Sequence, residues 1–112
     1  MAYDARLAEE LRERLLVAAE GELTEKEMFG GLAFMVDGNL TIAASRTGGL
    51  LARTDPADAD EVLALEGVEP MENQGRKMPG WVFVEADVIR DEESLDDWVE
   101  RSLTFVTTLP PK

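Results

Sequence analysis

The sequence predicts an α+β fold, a two-layer sandwich in which an antiparallel sheet carries flanking helices. Three observations support this class. Apolar residues recur at helical spacing near both ends of the chain, side chains alternate in the segments between, and glycine-containing turns separate those segments closely enough for antiparallel pairing. The predicted order is α-β-β-β-α-β-β-α, and residues 1–112 are expected to form a single domain.

The first helix is predicted from Tyr3 to Ala19. Leu7, Leu11 and Leu15 recur at four-residue steps, so they form one apolar stripe along the helix. Gly21 is well placed to end it.

The next three predicted elements are the strands of a meander. Apolar side chains alternate over Leu32–Val36 and over Leu40–Ala44, and Asp37-Gly38 between these runs is a strong hairpin signal. Gly48-Gly49 supplies a second turn. We therefore expect a short third strand from Leu50 to Arg53.

The middle helix is predicted to begin at Asp55-Pro56. The Asp55 side chain can cap the first turn, and Pro56 suits the first helical position because an N–H there would have no partner within the helix. Gly67 closes this helix, and Val68 to Glu72 follows as a strand.

The last strand and the final helix complete the predicted fold. Side chains alternate from Trp81 to Ala86, and Pro79 is expected at the start of this strand or on a sheet edge, because proline cannot donate to a ladder. The final helix is predicted from Asp91 to Leu109. Its inward-facing positions at helical spacing are Leu95, Trp98, Val99, Ser102, Leu103 and Val106.

Composition excludes several classes of site. The chain has no cysteine and no histidine, so it cannot form disulfides, thiol nucleophiles, zinc sites of the Cys/His kind or Ser-His-Asp triads. Its 24 acidic and 11 basic residues give a net charge of −13, which disfavours direct binding to nucleic acid and to anionic membranes. No signal peptide or membrane-spanning segment is visible, and a cytoplasmic location is expected.

A set of short motifs resembles, in the right order, the TfoX amino-terminal domain family. The two longest are Met28-Phe29-Gly30-Gly31-Leu32-Ala33-Phe34 and Gly75-Arg76-Lys77-Met78-Pro79-Gly80-Trp81-Val82. Shorter matching segments are 48–53, 55–59, 70–72, 98–101 and 109–112. The resemblance covers nearly the whole chain, roughly Ala5 to Lys112. The motif residues singled out are Phe29, Gly30, Gly31, Gly75 and Gly80.

The resemblance implies a fold similar to type III secretion chaperones and a tendency to pair into homodimers. It also implies a bacterial regulatory role, because the named member of the family regulates competence for DNA uptake. It supplies no catalytic residues and no cofactor. We therefore expect a small cytoplasmic, non-enzymatic regulatory or protein-interaction module that forms a homodimer, with a protein partner and without a membrane or a nucleic acid as direct partner.

The alternative function is the binding of a small anionic ligand. Arg53 and Arg76 stand out because the predicted strands hold few charges, whereas the helices hold nearly all the acid. The two guanidinium groups could hold an anion against an apolar wall of Met71, Met78 and Trp81. The competing interpretation is that each arginine pairs with a nearby carboxylate.

Other candidate sites have structural interpretations. Gly30-Gly31 lacks the spacing of a phosphate-binding loop, which favours a bulge or a close backbone approach. The acidic residues of segment 55–66 fail the calcium-loop pattern, and Asp91-Glu92-Glu93 indicates a helix start. Hence no metal site and no catalytic pair is predicted.

The aromatic and sulfur-containing side chains leave two alternatives open. Trp81 and Trp98 are expected in the core in preference to a stacking platform for a ligand. Four methionines lie on or beside the predicted strands: Met28, Met35, Met71 and Met78. They could line an adaptable partner groove or fill gaps in the core.

Overall fold

The fold is seen in a computed structural model, which describes residues 4–28, 30–46, 48–73 and 75–111. For Glu72, Asn73, Arg76, Lys77 and Pro79 only the backbone is described. The elements in chain order are α1 (Ala5–Ala18), β1 (Leu23–Met28), β2 (Gly31–Val36), β3 (Asn39–Ala44), β4 (Leu50–Arg53), α2 (Ala59–Leu63), β5 (Val68–Asn73), β6 (Arg76–Val84) and α3 (Glu92–Val106). Single 3-10 turns, Pro56–Asp58 and Val88–Arg90, precede α2 and α3.

The six strands form one antiparallel sheet in the order β1-β2-β3-β4-β6-β5. The predicted α+β class is therefore confirmed. The chain runs as a meander through the first four strands and then places the β5–β6 hairpin beside β4, with β6 as the inner strand. None of the described helices is long and apolar enough to cross a membrane.

The prediction of five strands is wrong by one, because β1 was not predicted. Its two end residues, Leu23 and Met28, are half-buried, and the four residues between them are exposed. Such a polar segment carries no alternating apolar signal. Pairing with β2 along its whole length makes it a strand, from Leu23 opposite Val36 to Met28 opposite Gly31.

The predicted start of the last strand is wrong, but Pro79 takes the edge position that was the other expectation for it. The last strand begins at Arg76, five residues before the predicted start at Trp81, so Pro79 lies inside β6. The sheet tolerates it because β4 pairs with β6 only from Trp81 onward. On the other side of β6, the register with β5 shifts between Pro70 and Glu72. The missing N–H thus falls where the ladder is already interrupted.

The helix ends follow from side-chain caps. The Asp55 carboxylate accepts a hydrogen bond from the Ala57 N–H at 2.9 Å, which confirms the predicted cap. Asp4 and Asp91 cap α1 and α3 in the same way, so α1 starts two residues after the predicted Tyr3 and α3 one residue after Asp91. The middle helix is shorter than predicted and is partly a 3-10 turn.

All three helices contribute to one core on one face of the sheet. From α1 come Leu7, Leu11 and Leu15, as the four-residue spacing predicted. The predicted inward positions of α3 are all buried, Trp98 among them. The strands meet them with every second side chain, including Phe34, Ile42, Leu50, Ala52, Val82 and Val84. The opposite face of the sheet therefore stays outside this core.

An ion pair fastens α1 to the edge strand β1. The Arg12 guanidinium donates to both carboxylate oxygens of Glu25, at 2.6 and 2.7 Å, and also to Glu9 at 2.6 Å. The hydrogen bond from Arg12 lowers the pKa of Glu25 below its ordinary value; the positive charge adds to this effect and partial burial opposes it. The polar strand β1 is thereby held under α1 by charge as well as by backbone pairing.

We expect the Glu25→Gln variant to be less stable than the parent at pH 7 by about 0.5 kcal/mol, because the pair is partly exposed to solvent. A carboxylate whose pKa is lowered on folding stabilises the protein above its unfolded pKa and loses this effect as the pH falls through its folded pKa. The difference between the two proteins should therefore be smaller at about pH 3, below the ordinary glutamate pKa, than at pH 7. Urea unfolding at both pH values measures it.

The matched control is Glu27→Gln, which removes the same charge from the same exposed strand. It should change stability by less than about 0.3 kcal/mol at either pH. A loss of equal size in the two variants, or a Glu25→Gln difference that does not shrink at low pH, would contradict the role given to this ion pair.

Candidate functional site

The face of the sheet that lies opposite the helices is apolar, and we call it the open face. In β2, Leu32, Phe34 and Val36 point into the helix-covered core, so Ala33 and Met35 point the other way. A second apolar cluster forms there. Its buried members are Ala33, Ala43 and Leu51, and half-buried Met28, Leu40, Met71 and Phe83 pack around them. No residue of the described helices belongs to this cluster.

A bulge in β3 enlarges the open face. Phe34 pairs with Ile42, but Met35 pairs with Leu40, so Thr41 is an extra residue between them. Thr41 is fully buried, and its hydroxyl donates to the Asn39 carbonyl at 3.0 Å. The extra residue turns Leu40 to the open face although Ile42 faces the helices.

One row of cross-strand neighbours runs across the open face from edge to edge. The row consists of Lys26, Ala33, Ala43, Leu51, Phe83 and Glu69, one from each strand in sheet order. Its cation is at the β1 edge and its carboxylate at the β5 edge, and both side chains are exposed. The small residues lie on the cation side and the large ones on the carboxylate side. If the row is laid on a second copy of itself in the opposite order, the cation therefore meets the carboxylate and each small residue meets a large one.

Arg53 lies at one end of the sheet between two aromatic rings. Its guanidinium carbon is 5.6 Å from the ring centroid of Trp81 in β6 and 5.6 Å from that of Phe105 in α3. Nη1 donates to the Leu40 carbonyl at 3.2 Å. Burial lowers the pKa of Arg53, but a guanidinium stays charged near neutral pH. Arg53 forms no ion pair with a carboxylate of the described residues. The competing interpretation, in which each arginine pairs with a nearby carboxylate, is therefore wrong for Arg53.

The three predicted wall residues, Met71, Met78 and Trp81, come together. They line one pocket of about 220 Å³ between the β5–β6 hairpin and α2, along with Thr54 and Leu63. No charged side chain is among its described lining residues. The pocket therefore suits an apolar group, and Trp81 is half-buried at its edge.

The sheet register places Arg76, the second arginine of the predicted anion site, far from Arg53. Arg53 pairs with Trp81, whereas Arg76 lies five residues earlier in β6, which is about 16 Å along the strand. The side chain of Arg76 lies outside the described residues. A shared anion site of the two arginines thus stays a prediction.

The motif glycines mostly serve the backbone. Gly31 begins β2, and a Cβ there would lie 2.1 Å from the Ala44 carbonyl oxygen, so the predicted close backbone approach is present. Gly80 has φ of +84°, and its carbonyl accepts hydrogen bonds from both the N–H and the hydroxyl of Thr54. Gly30 precedes β2 and Gly75 lies in the β5–β6 turn, whereas Phe29 lies outside the described residues.

The acidic segments take structural roles. Asp55 and Asp91 cap their helices, and within the described ranges no group of three or more carboxylates is placed to hold a metal ion. Sequence reasoning missed the open face as a surface. The signal was present in the unbroken apolar run Leu32–Val36, which is typical of a strand that is apolar on both faces.

We expect Arg53→Lys to lower the free energy of unfolding by about 1 kcal/mol, because an ammonium cannot stack its plane against Trp81 and Phe105. Arg90→Lys is the control, since Arg90 is exposed and pairs with Asp87 at 3.1 Å. That change should cost less than about 0.3 kcal/mol. Equal urea midpoints for the parent and Arg53→Lys would show that the stacking contributes nothing.

The comparison with known families agrees with these motifs. The family model of the TfoX N-terminal domain matches residues 15–106, which is most of the chain and includes all six strands. No curated protein and no solved structure gives a significant match. The ordered motifs and this match together show that the chain belongs to the TfoX N-terminal domain family.

Proposed function

We propose that this domain is a non-enzymatic protein-interaction module that works as a homodimer, with the open faces of two sheets packed together. The observation that carries the proposal is the self-complementary row from Lys26 to Glu69. Membership of the TfoX N-terminal domain family supports a regulatory role like that of the competence regulators. A cytoplasmic location is part of the same proposal.

A two-fold axis parallel to the strands gives the better fit of the two simple arrangements. It reverses the order of the strands, so β1 faces β5 of the second copy and β2 faces β6. Lys26 then meets Glu69 of the second copy, and Ala33 meets Phe83. Each small side chain faces a large one, which is how packed sheets interdigitate at a spacing of about 10 Å.

An axis perpendicular to the strands gives a worse fit. It stacks each strand on its own copy, so Lys26 faces Lys26 and Glu69 faces Glu69 across the interface. Like charges at such positions repel, and pairs of alanines opposite each other leave space beside the clashing Phe83 rings. Charge and size thus select the same arrangement.

The open face is large enough for a dimer of moderate affinity. Five strand spacings of about 4.8 Å make it about 24 Å wide, and six-residue strands are about 20 Å long. Two such faces cover roughly 1,000 Å² together, at the lower limit for specific interfaces. We therefore expect a dissociation constant in the micromolar range.

A charge exchange tests both the face and the axis. Each dimer holds two pairs of Lys26 with Glu69, and an exposed pair contributes about 0.2 to 1 kcal/mol. Lys26→Glu alone, or Glu69→Lys alone, should raise the dissociation constant about tenfold, and the double exchange should restore it to within about threefold. Sedimentation velocity over about 1 to 100 µM protein measures all four constants.

Two controls separate this local effect from net charge. Arg90→Glu and Glu66→Lys make the same charge changes at exposed positions away from the open face, and they should leave the constant unchanged. A parent protein that sediments only as a 12.4 kDa species overturns the dimer. If neither single exchange weakens the dimer, the open face is not the interface. If the double exchange does not restore binding, the two-fold axis is not parallel to the strands.

A further inference from the structure

A groove of about 730 Å³ runs between α1 and α3 on the helical side of the domain. Its apolar residues are Val17 and Ala18 from α1 and Val99 and Leu103 from α3. Val99 and Leu103 are buried, whereas Val17 is 89% exposed. A single exposed valine is ordinary, but this one lines the same groove as the apolar floor of Val99 and Leu103. Apolar side chains gathered along a groove are typical of a binding site.

Carboxylates surround this floor. Glu13 and Glu20 lie on the α1 side, and Asp96 and Glu100 lie on the α3 side. The one basic residue among the described lining residues, Arg14, already bonds to Asp96 and to the Glu10 carbonyl. The carboxylates of Glu13, Glu20 and Glu100 make no hydrogen bond or ion pair with any described residue. The groove therefore offers negative charge that the chain itself leaves uncompensated.

We propose that this groove binds a basic amphipathic helix of a partner protein. The apolar stripe of such a helix fits the floor, and its lysine or arginine side chains on both flanks reach the carboxylates of the two rims. On the α3 side the lining extends from Asp96 to Thr107, the residue that follows α3, which is about 16 Å and corresponds to three helical turns. The net charge of −13 adds a long-range attraction for a cationic segment.

A second copy of this chain is a poorer occupant. Among the described helices, α1 holds three arginines and three glutamates, so its net charge is zero. The longer helix α3 holds five carboxylates and one arginine, Arg101, so it has a net negative charge. None of them offers the positive flanks that the rims of the groove require. The proposed helix-binding groove is therefore independent of the proposed dimer, which forms through the open face.

The test uses a synthetic, fluorescently labelled peptide of about 15 residues, with leucines at helical spacing and lysines on both flanks. Two matched peptides replace each lysine by glutamate or shuffle the sequence so that the stripe is lost. Fluorescence anisotropy should show binding of the first peptide only. Its affinity should fall several-fold when the salt concentration rises from about 50 to 300 mM.

Variants locate the binding. Val17→Asp places a charge among the apolar lining residues, and Glu13→Lys with Glu100→Lys reverses one charge on each rim; each should weaken the first peptide at least about tenfold. All three positions are exposed, so the fold should persist, which circular dichroism checks. Glu61→Lys, an exposed change on α2, is the control and should alter the affinity by less than about twofold.

Each other result overturns the inference. Equal binding of the shuffled peptide would mean attraction to a negative protein without a groove, and an unchanged affinity in Val17→Asp would place the peptide elsewhere. Loss of self-association in Val17→Asp, seen by sedimentation, would assign the groove to a second copy. The Lys26→Glu variant should bind the peptide normally, so failure of the dimer proposal leaves this test interpretable.

Discussion

The placement of all the described helices on the same face of the sheet determines which surfaces this domain can use. Side chains of a strand alternate between faces, so a sheet that is apolar on both sides needs two covers. Here α1, α2 and α3 supply one cover, and the second apolar cluster around Ala43 has none from the described helices. The open face and its proposed occupant both follow from this asymmetry.

Charge divides along the same boundary. The row across the open face holds one cation and one carboxylate, so it is neutral, whereas α2 and α3 carry a clear excess of acid. Two open faces can approach without meeting the main negative charge of the chain. The helical side keeps that charge, and its groove gathers four carboxylates around an apolar floor. The domain thus presents an apolar, neutral surface and an acidic one on opposite sides.

The fold class, the caps and the core of α1 and α3 could be predicted because each depends on local spacing. The strand β1 could not, since its partner β2 and the Arg12–Glu25 ion pair create it from a polar segment. The early start of β6 was missed for a similar reason: residues 76–80 extend past the end of β4, and no local pattern shows where a neighbouring strand ends.

The candidate surfaces show the same division. The apolar run Leu32–Val36 indicated a strand with two apolar faces, but the row that joins Lys26 to Glu69 depends on five registers along the sheet. The arginines are not confined to the strands that hold Arg53 and Arg76, because α1 alone carries three. The acidic groove requires two helices that are far apart in sequence, so only the folded chain reveals it.

The central claim is that two open faces pack with their strand orders reversed. Isotope-filtered nuclear Overhauser spectroscopy tests it on the unaltered protein, in an equal mixture of copies with ¹³C-labelled methionine methyl groups and unlabelled copies. Met35 follows Ala33 by two residues in β2, and Trp81 precedes Phe83 by two residues in β6, so both share the open face and lie on the same side of the row. The account therefore predicts cross-peaks between the Met35 methyl of a labelled copy and the Trp81 ring of an unlabelled one. Intermolecular cross-peaks to α1 or α3 in their place, or none in a dimer, would contradict it.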